Sequence, residues 1–219
     1  MPKIELVVAS EFAAAGAELF RSAAPRTVAL AGGRTPTPVY ARLAALDYPW
    51  ADTQVFFGDE RCVPPENIDS NYRMAWEALL SKVPATVHRM TGETCDAAAY
   101  ERDLEATFGP GVPRFDLIFL GLGADGHTAS LFPGDPALDE RERRVVRVGR
   151  PDHSRLTFTL PVLSGAKLVV FLVAGSAKRE ALARLLGGDD VPAARVHADR
   201  VVVIADEAAA PAAPTRAFQ

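Results

Sequence analysis

The feature that most constrains the fold is a repeated order of a short apolar run, a turn rich in Gly, Asp or Pro, and a helical pattern. Uniformly apolar strands that alternate with helices of roughly 10–15 residues are typical of parallel sheets covered on both faces. We therefore predict an α/β fold with an open, mostly parallel, Rossmann-like sheet and helices on both faces. The predicted strands are 28–31, 55–57, 117–120, 145–148, 156–160, 168–173 and 201–204.

Each predicted helix begins at a residue whose side chain can accept hydrogen bonds from the free N–H groups of the first turn. These residues are Thr37, which precedes Pro38, and Ser70, Asp96 and Ser176. We expect the last three helices to end at Lys82, Gly109 and the pair Gly187-Gly188.

Composition and charge exclude several classes of protein. The net charge of −4 and the absence of a basic stripe argue against nucleic-acid binding. The longest apolar run, 168–175, has eight residues, far short of the roughly 20 that a membrane-spanning helix needs. The first residues lack the pattern of a secretion signal. Two cysteines, Cys62 and Cys95, cannot build a disulfide framework, so we expect a reducing cytoplasm and treat Cys62 as a small packing residue.

The chain shows no internal repeat and no linker between two halves. We therefore predict a single domain over 1–219, either a monomer or a small homo-oligomer. The Pro- and Ala-rich segment from Ala208 to Gln219 is expected to be a frayed tail.

Three glycine-bearing turns, at 31–36, 58–61 and 121–128, follow the ends of three apolar runs. Ligands of open α/β sheets bind beyond the carboxyl ends of the strands, where the chain order reverses. We therefore expect the three turns to meet in one crevice. The first turn can present backbone N–H groups to an anion, and a tight turn without a ligand is the alternative. The charges of the second turn are either functional or simply solvated.

The third turn contains the most specific candidate, His127, which stands with Asp125 among three glycines after a strand. An imidazole titrates near neutral pH, so His127 is the most plausible general base. The same segment matches G-x-G-x-x-G, but Pro133 leaves no room for the long helix of a dinucleotide site. No zinc spacing and no serine-nucleophile elbow is present. Lys178 and Arg155 are further candidates for binding an anion.

Five segments of the chain, taken in order, resemble the 6-phosphogluconolactonases, and the resemblance runs from about residue 28 to 210. The segment 116–134, which contains His127, is the most specific of them. The matching segments are AGGRTP (31–36), GDERCVPPENIDSNYRMAWEALL (58–80) and DLIFLGLGADGHTASLFPG (116–134), with RLTFTLPVL (155–163) and VAGSAKREAL (173–182) in support.

The resemblance implies a sheet related to that of glucosamine-6-phosphate deaminases and hydrolysis of 6-phospho-D-glucono-1,5-lactone to 6-phosphogluconate in the oxidative pentose phosphate pathway. It implies a small sugar phosphate as the partner and no metal or organic cofactor. It also assigns the site. By this resemblance His127 matches the proposed base of the family, and residues around the substrate and its phosphate are matched by Gly32, Gly33, Arg34, Thr35, Arg61 and Lys178. Asp59 and Asp125 match polar residues of the same pocket. We therefore predict as catalytic residues His127, Asp59 and Arg61, and as substrate-binding residues Gly32, Gly33, Arg34, Thr35, Asp125, Lys178 and, from its position before a strand, Arg155.

Two alternative functions remain open at this point. One is amino-sugar phosphate isomerisation, because deaminases of the related branch share the Asp-Gly-His sequence. They follow it with Ile-Ala-Phe-Asn-Glu-Pro, whereas this chain has Thr-Ala-Ser-Leu-Phe-Pro at 128–133, which favours a lactonase. The other is a non-catalytic sugar-phosphate sensor, and the presence of His127 favours an enzyme instead.

Overall fold

The computed structural model describes residues 4–211. Within that range no helix is long and apolar enough to cross a bilayer. The strands are β1 (Ile4–Val8), β2 (Thr27–Leu30), β3 (Gln54–Phe57), β4 (Asp59–Arg61), β5 (Thr86–Val87), β6 (Leu117–Gly121), β7 (Val145–Val148), β8 (Arg155–Phe158), β9 (Leu168–Val173) and β10 (Arg200–Ala205). The helices are α1 (Phe12–Ala23), α2 (Thr37–Leu43), α3 (Asn71–Ala78), α4 (Ala97–Phe108), α5 (Leu160–Ser164) and α6 (Arg179–Gly187).

Seven strands form one parallel sheet in the order β1-β10-β9-β6-β2-β3-β5. Every residue of β9 and all but the first of β10 are buried. Because successive side chains of a strand point to opposite faces, both faces of the sheet must be covered. The predicted α/β architecture with a mostly parallel sheet is confirmed.

A second, three-stranded antiparallel sheet in the order β4-β8-β7 was not predicted. The segment 58–61 is therefore not a turn, because Gly58 only separates β3 from β4. The predicted strand 156–160 is also too long. It ends at Phe158, and Leu160 starts α5 with Pro161 in the first turn, where a missing N–H costs nothing.

Two predicted helix caps are confirmed. The side chains of Ser70 and Asp96 accept hydrogen bonds from the backbone N–H groups three residues later. Gly109, whose φ is 77°, ends α4 as expected. The predicted end at Lys82 is wrong, because α3 stops at Ala78 and a separate 3₁₀ turn follows.

The other two predicted caps are wrong. Thr37 is the first residue of α2, and its hydroxyl donates a 3.4 Å hydrogen bond to the carbonyl of Gly33. Ser176 begins a 3₁₀ turn, and α6 begins only at Arg179. Lys178 therefore occupies the N-cap position of α6, with no side-chain capping bond.

Cys62 and Cys95 form a disulfide, with their Cα atoms 5.2 Å apart. Cys62 packs against the core as predicted, but the expectation that the two cysteines are reduced is wrong. The bond ties the residue that follows β4 to the loop that precedes α4. It also removes the argument for a reducing compartment that rested on unpaired cysteines.

The predicted frayed tail starts too early. Ala209 is fully buried, and the guanidinium of Arg179 donates a 2.9 Å hydrogen bond to the carbonyl of Ala208. The Asp206 carboxylate accepts the N–H of Ala209 at 2.7 Å. The remainder of the predicted tail, 212–219, lies outside the described residues.

Candidate active site

One cavity of about 300 Å³ lies beyond the carboxyl ends of β9, β6, β2 and β3, which are neighbours in the sheet. The chain order reverses here, since β3 lies on one side of β2 and β6 on the other. The volume is at the lower end of the roughly 300–1,000 Å³ of small-molecule sites. Nine of the ten predicted site residues line it: Gly32, Gly33, Arg34, Thr35, Asp59, Arg61, His127, Arg155 and Lys178.

The first turn is held in a conformation that requires glycine. Gly33 has a φ of 86°, in the region that residues with a Cβ rarely adopt. A Cβ on Gly32 would overlap the side chain of Asn71. The buried hydroxyl of Tyr40 fixes the start of the turn, because it accepts the N–H of Ala31 at 2.8 Å and donates to its carbonyl at 2.9 Å. The turn is thus closely packed on both sides.

Successive side chains of β4 point to opposite faces of the strand, which separates its three charged residues. Asp59 and Arg61 line the cavity, whereas Glu60 lies at the amino end of α3. The Glu60 carboxylate accepts the backbone N–H groups of Asn71 and Tyr72, each at 2.7 Å. Burial raises the pKa of Glu60 to about 7, although these hydrogen bonds favour its ionised form. Glu60, for which the sequence pattern predicted no individual role, holds α3 against β4.

Asp59 is engaged by two residues that the sequence analysis did not single out. Its Oδ2 accepts the hydroxyl of Ser130 at 2.7 Å, and its Oδ1 accepts the Asn71 amide at 3.3 Å. Among the described residues, no hydrogen bond joins Asp59 to His127. Asp59 therefore anchors the loop that follows the histidine and does not itself hold the imidazole.

Asp125 is the partner of His127. The imidazole Nδ1 lies 2.6 Å from Asp125 Oδ1, which also accepts the His127 backbone N–H at 3.1 Å. Burial opposes ionisation, but these two hydrogen bonds outweigh it, and the pKa of Asp125 lies below its usual value. An ionised carboxylate accepts only, so Nδ1 carries the proton. Asp125 does not line the cavity, and its carboxylate lies against the imidazole.

The local chain path explains how this pair forms. A Cβ on Gly123 would overlap His127 Nδ1 and crowd Asp125 Oδ1, so only glycine allows both side chains to lie over this position. Gly126 has a φ of 88° and packs against Val191. Within residues 4–211, no group forms a hydrogen bond with His127 Nε2. The turn thus leaves one nitrogen of a cavity-lining imidazole without a hydrogen-bond partner among the described residues.

The cavity is locally positive although the chain carries a net charge of −4. Its lining contains four cationic side chains, which are Arg34, Arg61, Arg155 and Lys178. The lining contains one carboxylate, that of Asp59, which already accepts a hydrogen bond from Ser130. Arg34 and Lys178 form no ion pair or side-chain hydrogen bond with any described residue. The site is therefore electrostatically suited to an anion.

Arg61 and Arg155 lie opposite each other in the antiparallel pairing of β4 with β8. Like charges directly opposite on neighbouring strands destabilise a sheet. Arg155 is partly neutralised by Asp152 at 2.6 Å, and Arg61 donates to the carbonyl of Asp69. The Nε of each arginine is buried and has no partner in the described part of the chain. An anionic ligand would offset this accumulation of positive charge.

Neither the other three histidines of the chain nor a helix directly after the G-x-G-x-x-G match belongs to this site. His88, His153 and His197 do not line the cavity, and the first two are paired with Asp103 and Asp69. The G-x-G-x-x-G match is followed by a loop, as the nearest helical turn begins at 136. Among residues 4–211, no cluster of three His, Cys, Asp or Glu side chains is arranged to hold a metal ion.

Comparison with known proteins gives consistent matches. A sequence model of the family described as glucosamine-6-phosphate isomerases/6-phosphogluconolactonase matches residues 3–204. The 6-phosphogluconolactonase of Synechocystis sp. is 44% identical over 176 residues, which are 76% of this chain and 73% of that protein.

Solved structures show the same similarity. The crystal structure of 6-phosphogluconolactonase from Thermotoga maritima has a TM-score of 0.82 and 30% identity, covering 93% of this chain and 99% of that one. A monomeric glucosamine-6-phosphate deaminase has a TM-score of 0.78 and 21% identity, covering 94% and 98% of the two chains. The second similarity shows the fold alone, and it confirms the predicted relation of the sheet to that of the deaminases.

Proposed function

Since the chain belongs to the family of glucosamine-6-phosphate isomerases and 6-phosphogluconolactonases, we propose that it hydrolyses 6-phospho-D-glucono-1,5-lactone to 6-phosphogluconate in the oxidative pentose phosphate pathway. The observation that carries the proposal is the presence of a His127–Asp125 pair and four cations around one cavity. The segment 128–133 favours the lactonase branch, because it lacks the acidic residue that deaminases carry after the histidine.

His127 is the general base of the proposed reaction. Its Nε2 removes a proton from water as the water oxygen bonds to C1 of the lactone. Asp125 holds the Nδ1 proton and stabilises the imidazolium that forms. The bond between C1 and the ring oxygen then breaks, and the imidazolium returns the proton to the departing oxygen. A general base placed in this way contributes about 10²–10⁴-fold.

The cationic side chains have two tasks in this scheme. Donors near the base, among which Arg61 is the candidate, stabilise the negative oxygen that develops on C1. Lys178 and the turn 32–35 bind the 6-phosphate, so that binding energy away from the reacting carbon orients the lactone. The alternative is that Arg61 and Arg155 hold the phosphate, and variants of Lys178 distinguish the two arrangements.

The proposed substrate also bears on where the protein acts. A sugar phosphate carries about two negative charges near neutral pH, and such an ion does not enter a bilayer readily. Such a substrate stays in the compartment in which it is made, and we propose that this compartment is the cytoplasm. A small molecule of this kind requires neither a nucleic acid nor a membrane surface.

An assay of the wild-type protein tests the proposal. Fresh lactone is supplied, and 6-phosphogluconate is measured through 6-phosphogluconate dehydrogenase after subtraction of spontaneous hydrolysis. Turnover that saturates with lactone is the expected result. Release of ammonia from glucosamine 6-phosphate would instead identify a deaminase, and saturable binding of 6-phosphogluconate without turnover would identify a sensor.

A further inference from the structure

Phe132 makes a contact with the proposed base that its sequence position does not reveal. Its ring is 6% exposed, and its centroid lies 4.5 Å from that of the His127 imidazole, with 41° between the two planes. The guanidinium carbon of Arg150 lies 4.0 Å from the Phe132 centroid, and that of Arg155 lies 5.6 Å from it. One buried ring thus contacts the imidazole and two cations.

The chain between the two rings is closely held. Leu131 donates its N–H to the carbonyl of Thr128 at 2.9 Å, and Ala129, with a φ of 47°, completes the reversal. Ser130 fixes this reversal to β4 and β8. Its hydroxyl donates to Asp59 of β4, and its N–H donates to the Thr157 hydroxyl of β8 at 3.2 Å. This reversal returns the chain so that the Phe132 ring packs on His127.

The hydrogen bond to Asp125 is not sufficient to fix the orientation of the His127 imidazole. Its side chain is 31% exposed, and its single side-chain hydrogen bond, to Asp125, fixes the place of Nδ1. One hydrogen bond does not fix the tilt of the ring about that atom, and Nε2 moves when the ring tilts. A flat apolar neighbour restricts the tilt without offering a competing hydrogen bond.

We propose that Phe132 is a positioning residue, whose ring fixes the plane of the His127 imidazole and thereby the place of Nε2. The inference rests on the proposed function. The attraction of Arg150 and Arg155 to the ring holds Phe132 from a further direction. Because Arg155 lines the cavity, the same ring connects the proposed base with a candidate substrate-binding cation.

The test compares Phe132→Leu, which keeps an apolar side chain but removes the flat ring, with Phe132→Tyr, which retains the ring. A displacement of a reacting group by about 1 Å can cost about 10²-fold. We expect Phe132→Leu to lower kcat by about 10- to 100-fold with KM within twofold. Phe132→Tyr should keep kcat within about threefold of wild type, because the ring that positions the imidazole is retained.

A matched control separates positioning from general loosening of the core. Phe115 is fully buried and packs against Phe56, Phe108 and Phe158, away from the cavity. Phe115→Leu should lower the melting temperature at least as much as Phe132→Leu does, while kcat stays near wild type. A Phe115→Leu enzyme as slow as Phe132→Leu would overturn the proposal. So would a normal kcat in Phe132→Leu, or a Phe132→Tyr enzyme as slow as Phe132→Leu.

A spectroscopic measurement separates this inference from the function itself. In protein labelled with ¹⁵N-histidine, the proton on His127 Nδ1 is assigned by its loss in His127→Ala. We expect its signal to broaden or disappear in Phe132→Leu and to persist in Phe132→Tyr and Phe115→Leu. Failure of the wild type to hydrolyse lactone would refute the proposed function, whereas an unchanged signal in Phe132→Leu would refute the positioning role alone.

Discussion

His127 Nδ1 lies 2.6 Å from Asp125 Oδ1, and the same oxygen accepts the backbone N–H of His127. The aspartate therefore ties the imidazole to its own main chain within a span of three residues. Only Nε2 is left for proton transfer, and its residue lines the cavity that also holds the cationic side chains.

Replacement of this aspartate should lower the rate of the chemical step. An amide in Asp125→Asn can donate as well as accept, so it no longer specifies the Nδ1–H tautomer. We expect kcat to fall about 10- to 100-fold with little change in KM, a smaller loss than the roughly 10⁴-fold of the equivalent change in a protease triad. Asp139→Asn, at a side chain that is 82% exposed, is the control. A normal kcat in Asp125→Asn would show that the carboxylate is not required.

Removal of the Lys178 charge should weaken substrate binding. A hydrogen bond to a charged group contributes about 1.5–3 kcal/mol, so Lys178→Ala should raise KM about 10- to 100-fold and change kcat less. Steady-state kinetics with lactone measures both constants. Arg179→Ala removes the neighbouring charge, which contacts Ala208 and does not line the cavity, and should leave KM unchanged. An unchanged KM in Lys178→Ala would place the phosphate at Arg61 and Arg155.

Loss of the disulfide should destabilise the fold. Cys62 and Cys95 are separated by 33 positions, and closing a loop of that length stabilises a protein by about 3–4 kcal/mol in the chain-entropy account. Urea unfolding of the wild type with and without a dithiol reductant should show a loss of this order. The double variant Cys62→Ala/Cys95→Ala should match the reduced protein and not respond to the reductant. If the wild type does not respond either, the two thiols are not bonded in solution.

Glu60 should make stability fall as the pH rises towards neutrality. Burial raises its folded pKa to about 7 from an ordinary value of 4.5, so the folded state binds this proton more tightly than the unfolded chain. The resulting stabilisation is present below about pH 4.5 and is lost as the pH rises through about 7. The free energy of unfolding of wild type minus that of Glu60→Gln should therefore be larger at pH 5 than at pH 8.

The control for this experiment is Glu18→Gln, at a glutamate whose side chain is 63% exposed. Its difference from wild type should be nearly constant over the same pH range. A constant difference for Glu60→Gln as well would mean that Glu60 is ionised throughout, held by the N–H groups of α3.

The central strands of the sheet were predictable because they are buried on both faces. Apart from a polar first residue in β2, β3 and β10, their sequences are apolar, and β9 is apolar at every position. β4 was not predictable in the same way. Its sequence, Asp-Glu-Arg, resembles a solvated turn, and its pairing with β8 joins Arg61 to Arg155, which is 94 positions later. The antiparallel sheet therefore depends on contacts that no local pattern reports.

The location of the candidate site was predictable, because the carboxyl ends of neighbouring parallel strands lie at the same edge of the sheet. Residues of the segments 31–36, 58–61 and 121–128 line one cavity together with Lys178, because these segments follow strands that are adjacent in the sheet. The segment 58–61 does so as strand β4 and not as the turn that was predicted. The roles within the site were less accessible. Asp125 and Asp59 look alike in sequence, and only the geometry shows that the first holds the imidazole and the second holds Ser130. The disulfide likewise required the spatial proximity of two distant loops.

The role of His127 as the general base is tested by the activity of His127→Ala with 6-phospho-D-glucono-1,5-lactone. We predict that kcat, after subtraction of spontaneous hydrolysis, falls by about 10²-fold or more while KM stays close to that of wild type. The variant should keep the wild-type melting temperature to within a few degrees, since the imidazole is 31% exposed. A kcat near that of wild type in the folded variant would show that His127 is not the general base.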